Sequence, residues 1–516
     1  MNFDKTKCVW FGCEQAPNVR YMPTFDFDWN PETFRMLGVD FTVNLQDISD
    51  ININKKITEI TKEINNWSRR HLTPLGKIVV LKTLILSKIV HLLISLPPPS
   101  EKVMKELNSI FYKFLWNGGP DKVKRKVITQ KIEKGGLGMI DLKSFEQSLK
   151  ITWIKRLFMS EAKWKTLIVA RHPQLKDIHK FGNEFPRIIA NNVKNPFWES
   201  VLKYFAQFTK IYYCNHKNEI DSYSFIFNED IKIGKSCIKY KSFIDNDIHY
   251  IYQLRDGETF LSHNDFTTKY NIDINFLVYN SVISAVKEYC SKFPKQKIIK
   301  RLQPQLHLKL ILNTIKGTSP LYQELIKDNT NKTVQSKWQN IIGITLIEWK
   351  SSFPLLKYTT ADTKLLWLQF RILHSILTTN RSVSKFNAEQ SDICEFCKAH
   401  SETIHHLVWE CPKVNAFWKE LNELINHRCS LNFTINECMA IVGHDIHFET
   451  DKIFGFIILL AKQYIYKCKV QKGKLNIRHF IRHLYSRYCV EKLIAINSQE
   501  LQTAWEPYLR MFQALL

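Results

Sequence analysis

Four potential metal ligands lie within one 18-residue stretch of this 516-residue chain. The segment CEFCKAHSETIHHLVWEC carries Cys394 and Cys397, separated by two residues, followed by His406 and then Cys411. Structural zinc sites use four Cys or His side chains in a tetrahedron, with Zn–S distances of about 2.3 Å. All four side chains must therefore meet within a few ångströms, and a segment this short can fold locally around a metal ion.

The sequence leaves the third ligand open, because His400 and His405 are alternatives to His406. A Cys-x2-Cys pair is typical of a tight knuckle turn, and HLVWEC is compatible with a helix in which five residues span about one and a half turns. No glutamate is placed as the general base of a metalloprotease, so we predict a structural site with one Zn²⁺. Its predicted ligands are Cys394, Cys397, His406 and Cys411.

The positive charge of the chain is concentrated in two segments. The formal net charge is +24. Residues 54–156 hold 21 Lys or Arg against 8 Asp or Glu, and residues 461–492 hold 9 against 1, whereas residues 1–53 hold 4 against 8. Clustered positive charge favours a polyanionic partner, so we expect RNA or DNA to bind through phosphate contacts. For any one of these cations, a solvated surface charge is an equally good explanation.

The composition is that of a globular protein, with 45% hydrophobic and 24% charged residues. Twelve cysteines in so long a chain are too sparse for a disulfide scaffold, which favours reduced thiols. The most apolar helix candidate, 72–96, is interrupted by charged residues, and the apolar run 453–461 is too short to span a bilayer. We therefore expect an intracellular protein of the nucleus or cytoplasm, neither secreted nor bound to a membrane.

Helical periodicity dominates from about residue 54 onwards. Ile57, Ile60 and Ile64 recur at three- and four-residue spacing, which places them on one helix face. A second helix is predicted to begin at Thr73 and to end before the proline run 97–99. Short alternating or β-rich stretches, such as GVDFTV, predict a few strands. The predicted fold class is thus mainly α with small β segments.

Several stretches carry a resemblance to a known family when they are taken in order. They are NFDKTKCVWFG with Asn2, Lys5 and Thr6, LGVDF (37–41), the long stretch 66–91 that begins NWSRRHLTPLGK, FYKFLWNGGPDKVKRK (111–126), GGLGMIDL (135–142), NEDIKIGK (228–235) and ETIHHLVWEC (402–411). Together they resemble the C-terminal part of a reverse transcriptase from a non-LTR (LINE-type) retrotransposon. The first two resemble the segment after the catalytic palm motif and the primer-grip hairpin, and the next two both resemble the thumb. The last three resemble the turn that follows the thumb, the region behind the thumb and the zinc knuckle.

The resemblance implies part of a reverse-transcriptase right hand followed by further modules. The implied segments are a palm-end and primer-grip-like part (1–53), a helical thumb-like domain (54–160), a mixed α/β connector (161–337), a helical segment (338–390), the zinc knuckle (391–420) and a basic helical C-terminal segment (421–516). The thumb-like domain would grip nucleic acid through its cations. The predicted contacts are Arg69, Arg70, Lys77, Lys88, Lys124, Arg125 and Lys126.

The resemblance also bears on catalysis. In that family two adjacent aspartates and a third upstream aspartate hold the two metal ions that activate the primer hydroxyl. No Asp-Asp dipeptide occurs in this sequence, and the resemblance places the pair before its first residue. We expect that the chain as given does not polymerise DNA and that Mg²⁺ is used only where a complete palm precedes it. The alternatives are a longer, active reverse transcriptase with a mis-predicted start, and a domesticated zinc module that binds other proteins.

Overall fold

The structure is a computed structural model. It describes residues 7–8, 28–29, 33–42, 47–159, 161–293, 317–327, 332–343, 360, 362–432, 434–443, 452–494 and 498–515. Helices predominate within these residues, and the strands are short, which confirms the mainly α fold with small β segments. Asn2, Lys5 and Thr6 lie outside the described residues. The described chain divides into two compact units, and the six-segment division implied by the resemblance stays a prediction.

Unit 1 takes its residues from 1–67, 82–111 and 141–327. Its α-helices are Ile48–Ser68, Ser87–Ser95, Leu142–Met159, Lys163–Arg171, Glu184–Asn192, Pro196–Asn215, Lys241–Ile244, His263–Tyr270, Phe276–Ser291 and Ser319–Leu325. Its antiparallel strand pairs are Thr33–Met36 with Val39–Thr42, Lys232–Ile233 with Ser236–Cys237, and Arg255–Asp256 with Thr259–Phe260. Lys7–Cys8 and Asp28–Trp29 pair in parallel. Short 3-10 helices are Pro173–Asp177, Lys217–Ser222 and Ile251–Leu254.

Unit 2 takes its residues from 68–81, 112–140 and 328–516. Its α-helices are Pro74–Val80, Arg125–Ile128, Lys332–Ile342, Thr363–Leu373, Asn380–Ser384, Pro412–Cys429, Glu437–Val442, Lys452–Val470, Ile477–Ile494 and Ser498–Trp505. Its 3-10 helices are Ile132–Lys134 and Glu506–Leu515, and His406–Glu410 is a π-helix. The helix Glu101–Leu115 begins in unit 1 and ends in unit 2.

The predicted helix over 72–96 is interrupted. It begins as expected, with the Thr73 hydroxyl accepting the Gly76 N–H at 3.3 Å. It then passes through a π-helix, Leu81–Ile85, and resumes as Ser87–Ser95. A π turn shifts the helix register, because its hydrogen bonds join residues five apart. Side chains that an unbroken α-helix would align before and after this turn therefore do not share one face.

Three lysines are buried and donate to carbonyl groups at the C-terminal ends of helices. Lys77 Nζ donates to the Phe114 carbonyl at 2.8 Å, and Lys462 Nζ donates to that of Ile441 at 3.4 Å. Lys150 Nζ donates to two carbonyls at the end of Ser87–Ser95. Burial lowers the pKa of Lys150 to about 8 and that of Lys462 to about 7. These ammonium groups donate to carbonyl groups that lack a partner within their helix, at the helix end where positive charge is favoured.

The glycine-rich turn 135–138 is a packing feature of unit 2. A Cβ atom at Gly136 would lie 2.0 Å from the Gln130 carbonyl oxygen, so only glycine fits there. The Gly135 carbonyl lies 2.8 Å from Nε2 of His374, which stacks on Phe370 in the helix Thr363–Leu373. The turn therefore serves the packing of this helix.

Among the described residues, no single helix is both long and apolar enough to cross a membrane. The helices Pro74–Ile85 and Ser87–Ser95 meet the length and composition requirements only when they are taken together as a bent pair. The apolar run 453–461 lies within the helix Lys452–Val470, and all nine of its residues are buried in unit 2.

Candidate metal centre

Cys394 and Cys397 lie in a tight turn closed by backbone hydrogen bonds. The Cys394 N–H donates to the His400 carbonyl at 2.8 Å, and the Lys398 N–H donates to the Cys394 carbonyl at 3.0 Å. Lys398 adopts a left-handed φ of 55°, which reverses the chain within the turn. The predicted knuckle turn is therefore present, and it brings both thiols to one side of the candidate site.

His406 and Cys411 are joined by a π turn rather than by an ordinary helical turn. The Cys411 N–H donates to the His406 carbonyl at 2.9 Å, which closes the π-helix His406–Glu410. In an α-helix, two residues five apart point about 140° away from each other. The wider turn, together with extended backbone at Cys411 (ψ 124°), brings both side chains to the same site. Pro412 then begins the helix Pro412–Cys429.

The four predicted ligand atoms lie within 4.8 Å of one another. The Cys394 and Cys411 sulfurs are 3.8 Å apart, and the Cys397 sulfur lies 3.4 Å from Nε2 of His406. A regular tetrahedron with Zn–S of about 2.3 Å and Zn–N of about 2.1 Å has S–S edges of about 3.8 Å and S–N edges of about 3.6 Å. Both separations thus agree with a zinc tetrahedron to about 0.2 Å.

Of the three candidate histidines, the structure groups His406 with the cysteines. His406 is buried, and its backbone N–H donates to the Thr403 hydroxyl at 2.9 Å. His405 instead pairs through Nδ1 with Glu410 at 3.1 Å and through Nε2 with Glu437. His400 is exposed, and its Nδ1 lies 4.0 Å from the nearest cysteine sulfur. Spacing alone could not separate these histidines, because the choice depends on the π turn.

Hydrogen bonds from the Cys394 thiol and from the start of the helix Pro412–Cys429 favour a thiolate at Cys411. The thiol of Cys394, followed by the backbone N–H groups of Val414 and Lys413, lowers the pKa of Cys411 to about 7. The same interaction raises the pKa of Cys394. Burial raises the pKa of Cys397, but backbone N–H groups two and three residues further on lower it below its usual value. Zinc binds thiolates, so these N–H groups suit a metal ligand set.

A buried carboxylate fastens the knuckle turn to two other elements of unit 2. Glu402 is fully buried, and it accepts the Asn380 N–H at 2.8 Å and the Glu395 N–H at 3.2 Å. Its carboxylate also pairs with Lys469 at 3.2 Å. These contacts tie the turn to the helices Asn380–Ser384 and Lys452–Val470. Sequence analysis gave Glu402 no role, because nothing in the sequence distinguishes it from a surface glutamate.

The metal ligands are part of a larger apolar core. Cys394 and Cys411 are fully buried in the same cluster of unit 2 as Leu407 and Trp418. The Trp418 indole N–H donates to the Val408 carbonyl at 2.8 Å. The segment thus packs against the rest of unit 2, whereas spacing had suggested a knuckle able to fold around metal by itself. Metal binding would add to this packing.

Most of the predicted nucleic-acid contacts are exposed side chains. Arg69 and Arg70 are exposed where the helix Ile48–Ser68 ends. Lys124, Arg125 and Lys126 are exposed as well. The Arg125 guanidinium lies 4.0 Å from the centre of the Tyr112 ring, and its Nε is 2.7 Å from an oxygen of Asp121.

Two of the predicted contacts are engaged within the protein. Lys88 is half-buried and pairs with Glu63 at 3.0 Å. Lys77 is buried, and its ammonium donates to the Phe114 carbonyl and to the Asn117 side chain. Lys77 is therefore not available to a phosphate, and its assignment as a contact was wrong. The predicted helix over 72–96 was also taken as continuous, whereas the π turn at Leu81–Ile85 interrupts it between Lys77 and Lys88.

Comparison with known families supports the metal assignment. The sequence profile of the family described as zinc-binding in reverse transcriptase matches residues 319–418. The matched stretch contains all four clustered ligands. This region of the chain is similar to the zinc-binding region associated with reverse transcriptases. Together, the match and the Cys₃His cluster support a structural zinc site.

Proposed function

We propose that the chain is the nucleic-acid-binding C-terminal portion of a reverse transcriptase of the non-LTR retrotransposon type. The observation that carries the proposal is the coincidence of the family match over 319–418 with a Cys₃His cluster whose ligand atoms lie within 4.8 Å of one another. The thumb-like and connector-like stretches precede this region in the order that the resemblance implies. The concentration of positive charge within 54–156 and 461–492 supports the same function.

Phosphate contacts are the proposed basis of binding in the thumb-like segment. Each phosphate that is neutralised by Lys or Arg releases condensed counterions, so the logarithm of the binding constant falls linearly with the logarithm of salt concentration. The exposed Arg69, Arg70, Lys124 and Lys126 are suited to this role. Trp116 is buried and therefore does not offer its ring to a base. We expect weak base discrimination from this segment.

The binding experiment compares two fourfold variants of the full chain. The test variant changes Arg69, Arg70, Lys124 and Lys126 to Gln. The control variant changes Lys232, Lys235, Lys239 and Lys241 to Gln. All eight side chains are exposed, and both variants lower the net charge equally. The salt slope is the magnitude of the slope of log K, where K is the binding constant, against the logarithm of salt concentration. If all four test residues contact phosphates, the salt slope should fall by roughly 3 to 4 for the test variant and stay unchanged for the control.

The outcome separates nucleic-acid binding from the alternative of a protein-interaction module. Equal slopes for the wild type and the test variant would show that these residues are not the binding surface. If the wild-type chain shows no salt-dependent affinity for primed or structured RNA or DNA, the nucleic-acid function falls and the protein-interaction alternative takes its place.

We also propose that the chain as given does not polymerise. The adjacent aspartates that hold the catalytic metals in the resembling family are not in this sequence. Purified chain would be offered a primed RNA template, deoxynucleotides and Mg²⁺. Template-dependent extension that persists through independent purifications would refute this part of the proposal and favour a longer, active enzyme.

A further inference from the structure

Phe386 is the most exposed phenylalanine among the described side chains, with 92% of its surface accessible. Its N–H donates to the Val383 carbonyl at 2.9 Å, in the turn that ends the helix Asn380–Ser384. Phenylalanine is usually buried, so a ring held by ordered backbone and almost fully exposed loses the gain of burial. Such a ring is a candidate contact for a ligand.

Two cations lie close to this ring along the chain, and a third cation lies near one of them. Arg381 and Lys385 are four residues apart on the same helical face, and both are exposed. Lys337, on the helix Lys332–Ile342, is also exposed, and its pKa is lowered by partial burial and by the nearby Lys385 ammonium. Like charges in such proximity repel one another, and an anion bound between them would relieve the repulsion.

The charges around Phe386 are not balanced by carboxylates in the part of the chain that the structure describes. None of the three cations has a described ion-pair partner there. The nearest acidic residue along the chain is Glu389, three positions after Phe386. The patch is therefore positive, with an aromatic face at its edge.

The elements that carry this patch are fixed to the zinc-binding region. The Asn380 N–H donates to Glu402 at 2.8 Å, and the Asn380 side-chain amide donates to the Ile393 carbonyl at 2.7 Å, next to Cys394. The helix that carries Lys337 is anchored by the Trp338 indole, which donates to the Leu373 carbonyl at 2.8 Å. The ring and the cations therefore hold a defined position relative to the metal centre.

We infer that Phe386, Lys337, Arg381 and Lys385 form a binding site for single-stranded nucleic acid, in which a base stacks on the phenyl ring and the cations hold adjacent phosphates. The inference rests on the proposed function and deepens it by naming the form of nucleic acid that this site takes. Exposed aromatic rings beside a cationic groove are the usual means of binding single strands. In a duplex both faces of each internal base are covered by stacking, so the ring would have no base to receive.

A protein partner is a weaker explanation of the same patch. A phenylalanine side chain buries about 150–250 Å² at most, whereas stable protein interfaces bury more than about 1,000 Å². The ring together with three charged side chains offers little apolar area beyond this. A stacked base, by contrast, needs only one ring face.

The test measures binding of a fluorescent single strand by the full zinc-loaded chain. The probe is a twelve-nucleotide DNA that carries 2-aminopurine, and the same strand annealed to its complement is the duplex control. Phe386→Leu removes the aromatic face but keeps an apolar side chain, and Phe386→Trp keeps a stacking face. We expect Phe386→Leu to weaken single-strand binding by roughly 5- to 150-fold and Phe386→Trp to retain it. Duplex binding should change less than about twofold for both variants.

A second variant tests the cations. Changing Lys337, Arg381 and Lys385 to Gln should lower the single-strand salt slope by about 2 if all three contact phosphates. Quenching of 2-aminopurine by the wild type and by Phe386→Trp, but not by Phe386→Leu, would support a stacked base.

Other results would overturn the inference in distinguishable ways. If the wild type binds the single strand and Phe386→Leu binds it equally well, the stacking site is refuted while the proposed function stands. If Phe386→Leu weakens single-strand and duplex binding to the same extent, the ring does not select single strands and the inference fails. If the wild type binds neither probe at any salt concentration, the proposed function fails first and the inference falls with it.

Discussion

The buried carboxylate of Glu402 gives the sharpest prediction about how the zinc-binding region is held together. One of its oxygens accepts the Asn380 N–H at 2.8 Å and lies 3.2 Å from the Lys469 ammonium, and the other accepts the Glu395 N–H at 3.2 Å. In Glu402→Gln, one oxygen is replaced by an NH₂ group. Because every neighbour is a donor, at least one backbone N–H then loses its acceptor and Lys469 loses its counter-charge.

The expected cost follows from these contacts. A buried donor without an acceptor costs about 1–3 kcal/mol, and removing one partner of a buried ion pair costs about 3–5 kcal/mol. These effects overlap, so Glu402→Gln should lower the opening free energy of the region by about 3–5 kcal/mol. Lys469→Met in the same chain should recover part of this loss, because the uncompensated charge is removed.

Glu395→Gln is the matched control, since it is the same substitution in the same knuckle turn. Glu395 pairs with Lys398 at 2.7 Å, and the lysine side chain is 64% exposed, so this pair is worth at most about 1 kcal/mol. Hydrogen exchange measured by mass spectrometry, on peptides that cover 394–418, gives the opening free energy of each variant. A loss for Glu402→Gln no larger than that of Glu395→Gln would refute the assignment of Glu402 as the anchor of this turn.

Two further predictions concern side chains that sequence analysis assigned differently or not at all. Lys77→Met should lower the free energy of unfolding by about 1–3 kcal/mol, because the Phe114 carbonyl and the Asn117 side chain lose a buried donor. It should leave the salt dependence of nucleic-acid binding unchanged. Urea unfolding and salt titration measure the two quantities, and a weaker salt dependence with unchanged stability would show that Lys77 contacts phosphate. Burial lowers the pKa of His374 to about 4, so the unfolded chain binds a proton more readily than the folded chain. The contribution of neutral His374 to the free energy of unfolding is therefore retained above about pH 6.5 and decreases below it, by at most about 2 kcal/mol at pH 5. Urea unfolding of His374→Gln should show less of this acid sensitivity, and an identical pH profile would exclude His374 as its source.

The features that sequence reasoning predicted well depend on local patterns. Ile57, Ile60 and Ile64 are all buried on the helix Ile48–Ser68, because a three- and four-residue spacing defines a helix face. The Cys-x2-Cys spacing predicted the knuckle turn, since two residues between the thiols suffice to close it.

The features that the sequence could not provide depend on hydrogen-bond register and on distant partners. The π turn His406–Glu410 selects His406 over its neighbour His405, and nothing in HLVWEC distinguishes a π turn from an α-helical turn. Lys77 is buried against the Phe114 carbonyl and the Asn117 side chain, which lie 37 and 40 positions further along the chain. Glu402 gains its role from Lys469, which lies 67 positions further along the chain.

The central claim of this account is a structural zinc ion held by three cysteines and His406. X-ray absorption at the zinc K edge, on the purified full chain with its metal content measured, tests the claim most directly. We predict one zinc per chain with three sulfurs at about 2.3 Å and one nitrogen at about 2.0–2.1 Å, and loss of that zinc in Cys411→Ser. Zinc well below one equivalent, or a shell of two sulfurs and two nitrogens, would contradict the ligand set.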